Sequence, residues 1–199
     1  MASGFEPALT AALTHPTFFG VEGLLDYAIS PAGPGDAAEL GRVHVRAWRE
    51  TYTGVLPQAA LNRMSAAAHA RRFRHELMRA EKGQVTLIAE DAVEVVGYAS
   101  GALLRGDGRG ADAEVFTLYV VRAAQGVGVG RALLKASARV LRAEGAKSLM
   151  IFVLSRNERA RGFYERLGGE AFAEVASRGW GEGLTETAYR WPDIDRLAT

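Results

Sequence analysis

The residues best suited to chemistry fall in one run, Glu114-Val115-Phe116-Thr117-Leu118-Tyr119-Val120-Val121-Arg122-Ala123-Ala124-Gln125-Gly126-Val127-Gly128-Val129-Gly130-Arg131-Ala132. An apolar, β-branched segment passes there through glycines into a helical pattern. Glycines let a backbone turn sharply and approach a ligand closely, and the free N–H groups at the positive end of a helix dipole face anions. The run therefore reads as an anion site, with Arg131 in the first helical turn adding a charge-assisted contact. A P-loop needs Gly-Lys-Ser/Thr, but Arg131-Ala132 follow the last glycine. A dinucleotide fingerprint counted from Gly126 would put its third glycine on Arg131, and no ribose-binding acid stands in 146–154. Cysteine is absent, which excludes thiolate metal sites and any acyl-cysteine intermediate. His69 and His75, set among Arg71, Arg72 and Arg74, are too widely spaced to put two ligands on adjacent helical turns, so no metal is assigned.

These residues need strands and helices to hold them. A short strand near 27–29 runs into a turn-rich segment, and Asp36 with Glu39 makes a capping-box signature for a first helix. That helix carries Leu40, Val43 and Ala47 at helical spacing, with His44, Trp48 and Tyr52 in an adjacent stripe, up to the break at Gly54 and Pro57. A second helix is expected over 58–81. Segments 84–90 and 93–104 read as an antiparallel pair of strands, followed by a glycine-rich connection and a third strand over 114–121. A helix over 128–144 closes at Gly145, and 148–154 is a near-continuous apolar strand suited to a central position. A last helix over 157–167 buries Ala160, Phe163, Tyr164 and Leu167 and stops at Gly168-Gly169, before two weaker strands near 171–175 and 185–191.

Gln125-x-x-Gly128-x-Gly130 resembles the Gln/Arg-x-x-Gly-x-Gly/Ala signature of the GNAT superfamily of acetyl-CoA-dependent N-acetyltransferases. Downstream, Asn157-x-x-Ala160-x-x-Phe163-Tyr164-Glu165-x-Leu167-Gly168 is similar to that family's second helix motif, except that Gly169 stands where an aromatic usually follows. The resemblance covers about 27–191. It implies an α/β fold with a central mixed, mostly antiparallel sheet, flanked by helices and splayed at two neighbouring parallel strands that end near Val121 and Leu154. In such a fold the pantetheine arm of acetyl-CoA pairs with the backbone of Leu118, Tyr119 and Val120, as an added strand would. The pyrophosphate meets the N–H groups of Gln125, Gly126, Val127, Gly128, Val129, Gly130 and Arg131. Asn157 hydrogen-bonds the arm, and Ala160 and Phe163 line it. The resemblance also implies direct attack of an amine on the thioester, with Tyr164 as the acid that protonates the leaving thiolate. Glu114 matches the position where some members carry a glutamate base; others use a water chain.

The chain has 199 residues, 48% hydrophobic and 24% charged, which fits one soluble globular domain. The expected division is an N-terminal extension over 1–26, a single N-acetyltransferase domain over 27–192 and a C-terminal tail over 193–199. Lys plus Arg outnumber Asp plus Glu by only 24 to 23, so no global field draws the protein to nucleic acid or to a membrane. No apolar stretch approaches the length of a membrane span, and a cytoplasmic location is the default expectation. The acceptor is expected to be a small-molecule amine, a protein N-terminus or a lysine, with its specificity set by 49–64 and 177–187. Homodimers are common in the resemblance group.

Overall fold

The computed structural model describes residues 17–18, 27–106, 110–177 and 183–198. Most of the expected N-terminal extension lies outside them, as do 107–109 of the glycine-rich connection and 178–182 of the expected acceptor segment. The strands are β1 (Thr17–Phe18), β2 (Ala28–Pro31), β3 (Gln84–Glu90), β4 (Val95–Leu103), β5 (Ala113–Val120), β6 (Leu149–Leu154), β7 (Glu170–Ala176) and β8 (Thr185–Trp191). The α-helices are α1 (Ala37–Tyr52), α2 (Gln58–Arg63), α3 (Ala66–Met78), α4 (Val129–Ala143), α5 (Glu158–Arg166) and the single turn α6 (Asp195–Ala198). The strands form one sheet in the order β1-β2-β3-β4-β5-β6-β8-β7. Every neighbouring pair is antiparallel except β5 and β6, which the α4 crossover makes parallel. This is the mixed, splayed sheet that the sequence implied.

The apolar stripes read from the sequence face the core. Leu133, Leu134, Val140 and Leu141 of α4 are buried, and the polar member of that stripe, Ser137, donates its hydroxyl to the Leu133 carbonyl at 2.9 Å. Gly145, at φ 106°, closes the helix in the left-handed region, where a β-carbon would be strained. On α1, Leu40, Val43, His44, Ala47 and Tyr52 are buried. Gly41 lets α1 and α3 cross closely, because a β-carbon there would lie 2.4 Å from the Ala66 carbonyl oxygen and 2.8 Å from the Ala70 nitrogen.

Three details differ from expectation. The helix expected over 58–81 is two helices, because Met64 and Ser65 are extended and the Ser65 hydroxyl caps α3 by accepting from the Ala68 N–H at 3.3 Å. No capping box forms at Asp36 and Glu39. Asp36 reaches back to accept from the Gly33 N–H at 2.7 Å, and Glu39 pairs with Arg42 instead. Residues 193–198, set apart as a tail, pack on the fold: Ile194, Leu197 and Ala198 are buried, and Arg139 of α4 donates to the Ala198 carbonyl at 2.7 Å.

Candidate acetyl-CoA site

The site is made by the point where the sheet opens. β5 and β6 are in register only at Ala113↔Leu149, Glu114↔Met150 and Val115↔Ile151. Beyond Val115 the β4 register slips, so that Ser100 faces Thr117 and Gly101 faces Val115, leaving Phe116 as the extra residue of a bulge. Bulges bend and twist a strand, and past this one β5 keeps its pairing to β4 through Gly97↔Val120 while its other edge parts from β6. The gap is a cleft of about 690 Å³ that reaches from Glu114 and Phe116 at its floor to Gly126, Gly128 and Gly130 at its rim.

At the rim, a turn over Arg122–Ala124 leads into Gly126 at φ 87° and Gly128 at φ 96°, both left-handed and so suited to glycine. Gly128 caps α4, and the first intrahelical bond is Ala132 N–H to the Gly128 carbonyl at 2.9 Å. The N–H groups of Val129, Gly130 and Arg131 therefore precede any intrahelical acceptor and face outward as an anion would require. Gln125 differs from its expected part. Its backbone N–H is bonded to the Arg122 carbonyl at 3.2 Å, and its side-chain amide donates to the Val120 carbonyl at 2.8 Å. Gln125 thus braces the end of β5, and the anion-facing N–H groups begin after it. Arg122 is a second brace, since its backbone N–H meets the Glu50 carboxylate at 2.6 Å and its guanidinium meets the Glu50 carbonyl at 2.7 Å.

From the other wall, α5 brings Asn157, Ala160, Phe163 and Tyr164 to the cleft. Asn157 caps the helix by accepting from the Ala160 N–H at 3.1 Å, the role its residue type favours without a ligand. The Phe163 ring lies over Gly130, in ordinary van der Waals reach of a β-carbon there at 3.4 Å, so α4 and α5 meet at this position. Tyr164 is buried among Phe163, Tyr189 and Trp191, and burial raises its hydroxyl pKa well above the ordinary phenol value, with the charge of Tyr52 adding to the shift. Trp191 also explains the departure at Gly169. A β-carbon there would sit 2.8 Å from the indole, whose N–H donates to the Leu167 carbonyl at 2.8 Å. A side chain at position 169 would therefore collide with an aromatic of β8.

The floor and the far wall carry the groups that sequence alone left open. Glu114 is buried and lines the cleft where the two strands are still in register. Tyr52, from the end of α1, meets Tyr119 hydroxyl to hydroxyl at 3.3 Å. Burial raises both phenols. Behind them, His44 hydrogen-bonds Tyr98 at 2.6 Å and packs its ring 4.2 Å from His69. Among the described residues, no cluster of His, Asp and Glu is placed to hold a metal ion.

A model of the acetyltransferase (GNAT) family matches residues 45–169. The chain belongs to the GNAT family. It is 30% identical over 164 residues, 82% of its length and 92% of the relative's, to YuaI of Bacillus subtilis (strain 168), described as an uncharacterized N-acetyltransferase. Its fold is shared with the PaiA N-acetyltransferase of Thermoplasma acidophilum, solved in complex with coenzyme A, at TM-score 0.68 and 16% identity over 82% of this chain and 97% of that one. YncA of Salmonella typhimurium, solved with its cofactor acetyl-CoA, matches at TM-score 0.63 and 22% identity over 85% and 94% of the two chains. In this GNAT chain the contiguous motifs announced the glycine rim and α5. Tyr52, Glu50 and Glu186 were marked only by the broad segments 49–64 and 177–187, because strand register and helix ends, not a contiguous motif, bring them to the cleft.

Proposed function

We propose that the protein transfers the acetyl group of acetyl-CoA to a primary amine by direct attack in a ternary complex. The observation that carries this reading is the open edge of β5, which lies beside a glycine-rich helix start in one cleft. Its fit to acetyl-CoA rests on two features of the chain. The edge from Leu118 to Val120 has lost β6 as a partner and can take an extended amide-bearing arm in its place, and the N–H groups from Gly126 to Arg131 suit a pyrophosphate. Asn157, Ala160 and Phe163 would hold the arm from the α5 side. Bound there, acetyl-CoA supplies an activated thioester.

This chain's residues have three tasks in such a reaction. Backbone N–H groups near Leu118–Val120 stabilise negative charge developing on the thioester oxygen, a task best done by fixed donors. Tyr164 holds a proton for the departing thiolate, and its raised pKa keeps that proton in place at neutral pH. Glu114 takes the proton of the attacking amine, directly or through water. The absence of cysteine is consistent with direct transfer, since it excludes an acyl-cysteine intermediate.

Calorimetric titration with acetyl-CoA, beside NAD and ATP, tests the site. Saturable binding selective for acetyl-CoA is expected, and bulky substitutions at Gly128 and Gly130 should abolish it. No binding to the folded wild type would sink the acetyltransferase reading.

A further inference from the structure

The cleft is lined by charges of both signs. Its cationic lining residues, Arg122, Arg131, Arg159 and Arg166, lie on the loop after β5, on α4 and on α5. Its acidic lining residues are Glu50, Glu114 and Glu186. Glu50 is already engaged by Arg46 at 3.1 Å and by the Arg122 N–H. Glu186 accepts from the Ser177 hydroxyl at 3.3 Å, and among the described residues it has no ion-pair partner. A half-buried carboxylate without a cation carries a desolvation cost that a cationic ligand would offset.

Strand register fixes where that carboxylate sits. Glu186 is the partner of Leu154, so the two share a face of the sheet, and Leu154 packs in the cluster with Tyr52 and Leu61 of α1 and α2. The neighbouring acid, Glu174, is turned to the hydroxyls of Thr185 and Ser155 at 2.5 and 3.2 Å. The Glu186 charge also contributes to the raised pKa of Tyr52, which places the two groups near each other. Counting three rungs on from the last paired one, Val115↔Ile151, and passing over the extra Phe116, brings Tyr119 level with Leu154 and therefore with Glu186. Glu186 is thus level with the open β5 edge but at least two strand spacings away, roughly 10 Å. It faces the helices opposite the α5 wall.

We propose that the acceptor carries a second positive charge at its far end, and that Glu186 receives it. This rests on the N-acetyltransferase reading above and names the substrate class for it. The nitrogen that attacks must be neutral, so a carboxylate that only stabilised its ammonium form would oppose the reaction. A carboxylate set back from the thioester by two strands instead suits a nitrogen that stays charged. Glu186 is in this sense a specificity-determining residue, and the acceptor is a cationic, diamine-like molecule or side chain.

Three amines of equal chain length separate the possibilities: putrescine, n-butylamine and γ-aminobutyrate, whose far ends are cationic, neutral and anionic. The wild type should rank them in that order by kcat/KM. Glu186→Gln should lower kcat/KM for putrescine by about 10- to 100-fold, mainly through KM, the range expected for a hydrogen bond to a charged group. Glu186→Lys should shift the preference toward γ-aminobutyrate. Calorimetry with acetyl-CoA on each variant confirms that the cofactor half is intact. Equal wild-type rates on putrescine and n-butylamine overturn the proposal, as does a preference for γ-aminobutyrate or an equal loss on both amines in Glu186→Gln. Turnover without charge discrimination defeats this proposal alone; binding of acetyl-CoA without turnover on a broad amine panel defeats the acetyltransferase reading itself.

Discussion

Tyr164 and Glu114 show how differently one cleft treats two ionisable groups. Tyr164 lies among aromatic rings, and its proton is held more tightly than an ordinary phenol's. An acid with an unperturbed tyrosine pKa would give a falling limb of activity near pH 10. Here that limb should move to higher pH, so the kcat profile is expected to stay flat through about pH 10. Tyr164→Phe should slow the chemical step by ~10-fold or more in single-turnover measurements, and an unchanged rate would remove Tyr164 from the mechanism. Glu114 sits at the last paired rungs, below the opening. Glu114→Gln should cost most activity at low pH, where few acceptor amines are already neutral. A parallel loss across the whole pH range would instead assign Glu114 a structural part. Both residues were legible in the sequence from their places in or beside a contiguous motif. Glu186 was legible only as one position of the 177–187 segment, because it takes the pairing of β6 with β8 to bring its carboxylate to the cleft.

Among the elements, β2 to β8 and α4 were legible because hydrophobic period and glycine stops are local signals, whereas β1 falls inside the stretch read as an extension. The break between α2 and α3 was hidden, since a helical rhythm can be drawn through Met64 and Ser65 and only the cap geometry reveals the stop. The contact of α1 with α3 shows what a single glycine permits. Gly41→Ala adds a methyl where the Ala66 carbonyl and the Ala70 nitrogen already lie, and backbone atoms cannot swing aside as a side chain can. The helices must separate, at a cost of about 1–3 kcal/mol typical of overpacking. Urea denaturation should show a lower midpoint with an unchanged slope. A variant as stable as the wild type would mean that the two helices slide without penalty.

For the whole molecule, the fold followed from element order together with two motifs, whereas the glycine at 169 depends on a contact with Trp191 of β8 that no local reading contains. Acid stability is also a property of the whole chain. Burial, then the charges of His69 and Arg72, lowers the His44 pKa from 6.5 to about 3. As pH falls from 6.5 toward 3, the unfolded chain binds a proton at this site that the folded chain refuses. Stability at this site is therefore full above 6.5 and is lost through that window, by at most about 1.4 kcal/mol per pH unit. His44→Gln should flatten this slope in denaturation midpoints measured across the window; an unaltered slope would assign the acid loss to other groups. The three-rung seam between β5 and β6 has a mechanical consequence. Five strands on one side and three on the other behave as two plates joined along a short weld, with stiffness supplied by the helices that span them. An arm laid along the open edge would act as a further strand and lengthen the weld, so the two plates would be held most firmly with that arm in place.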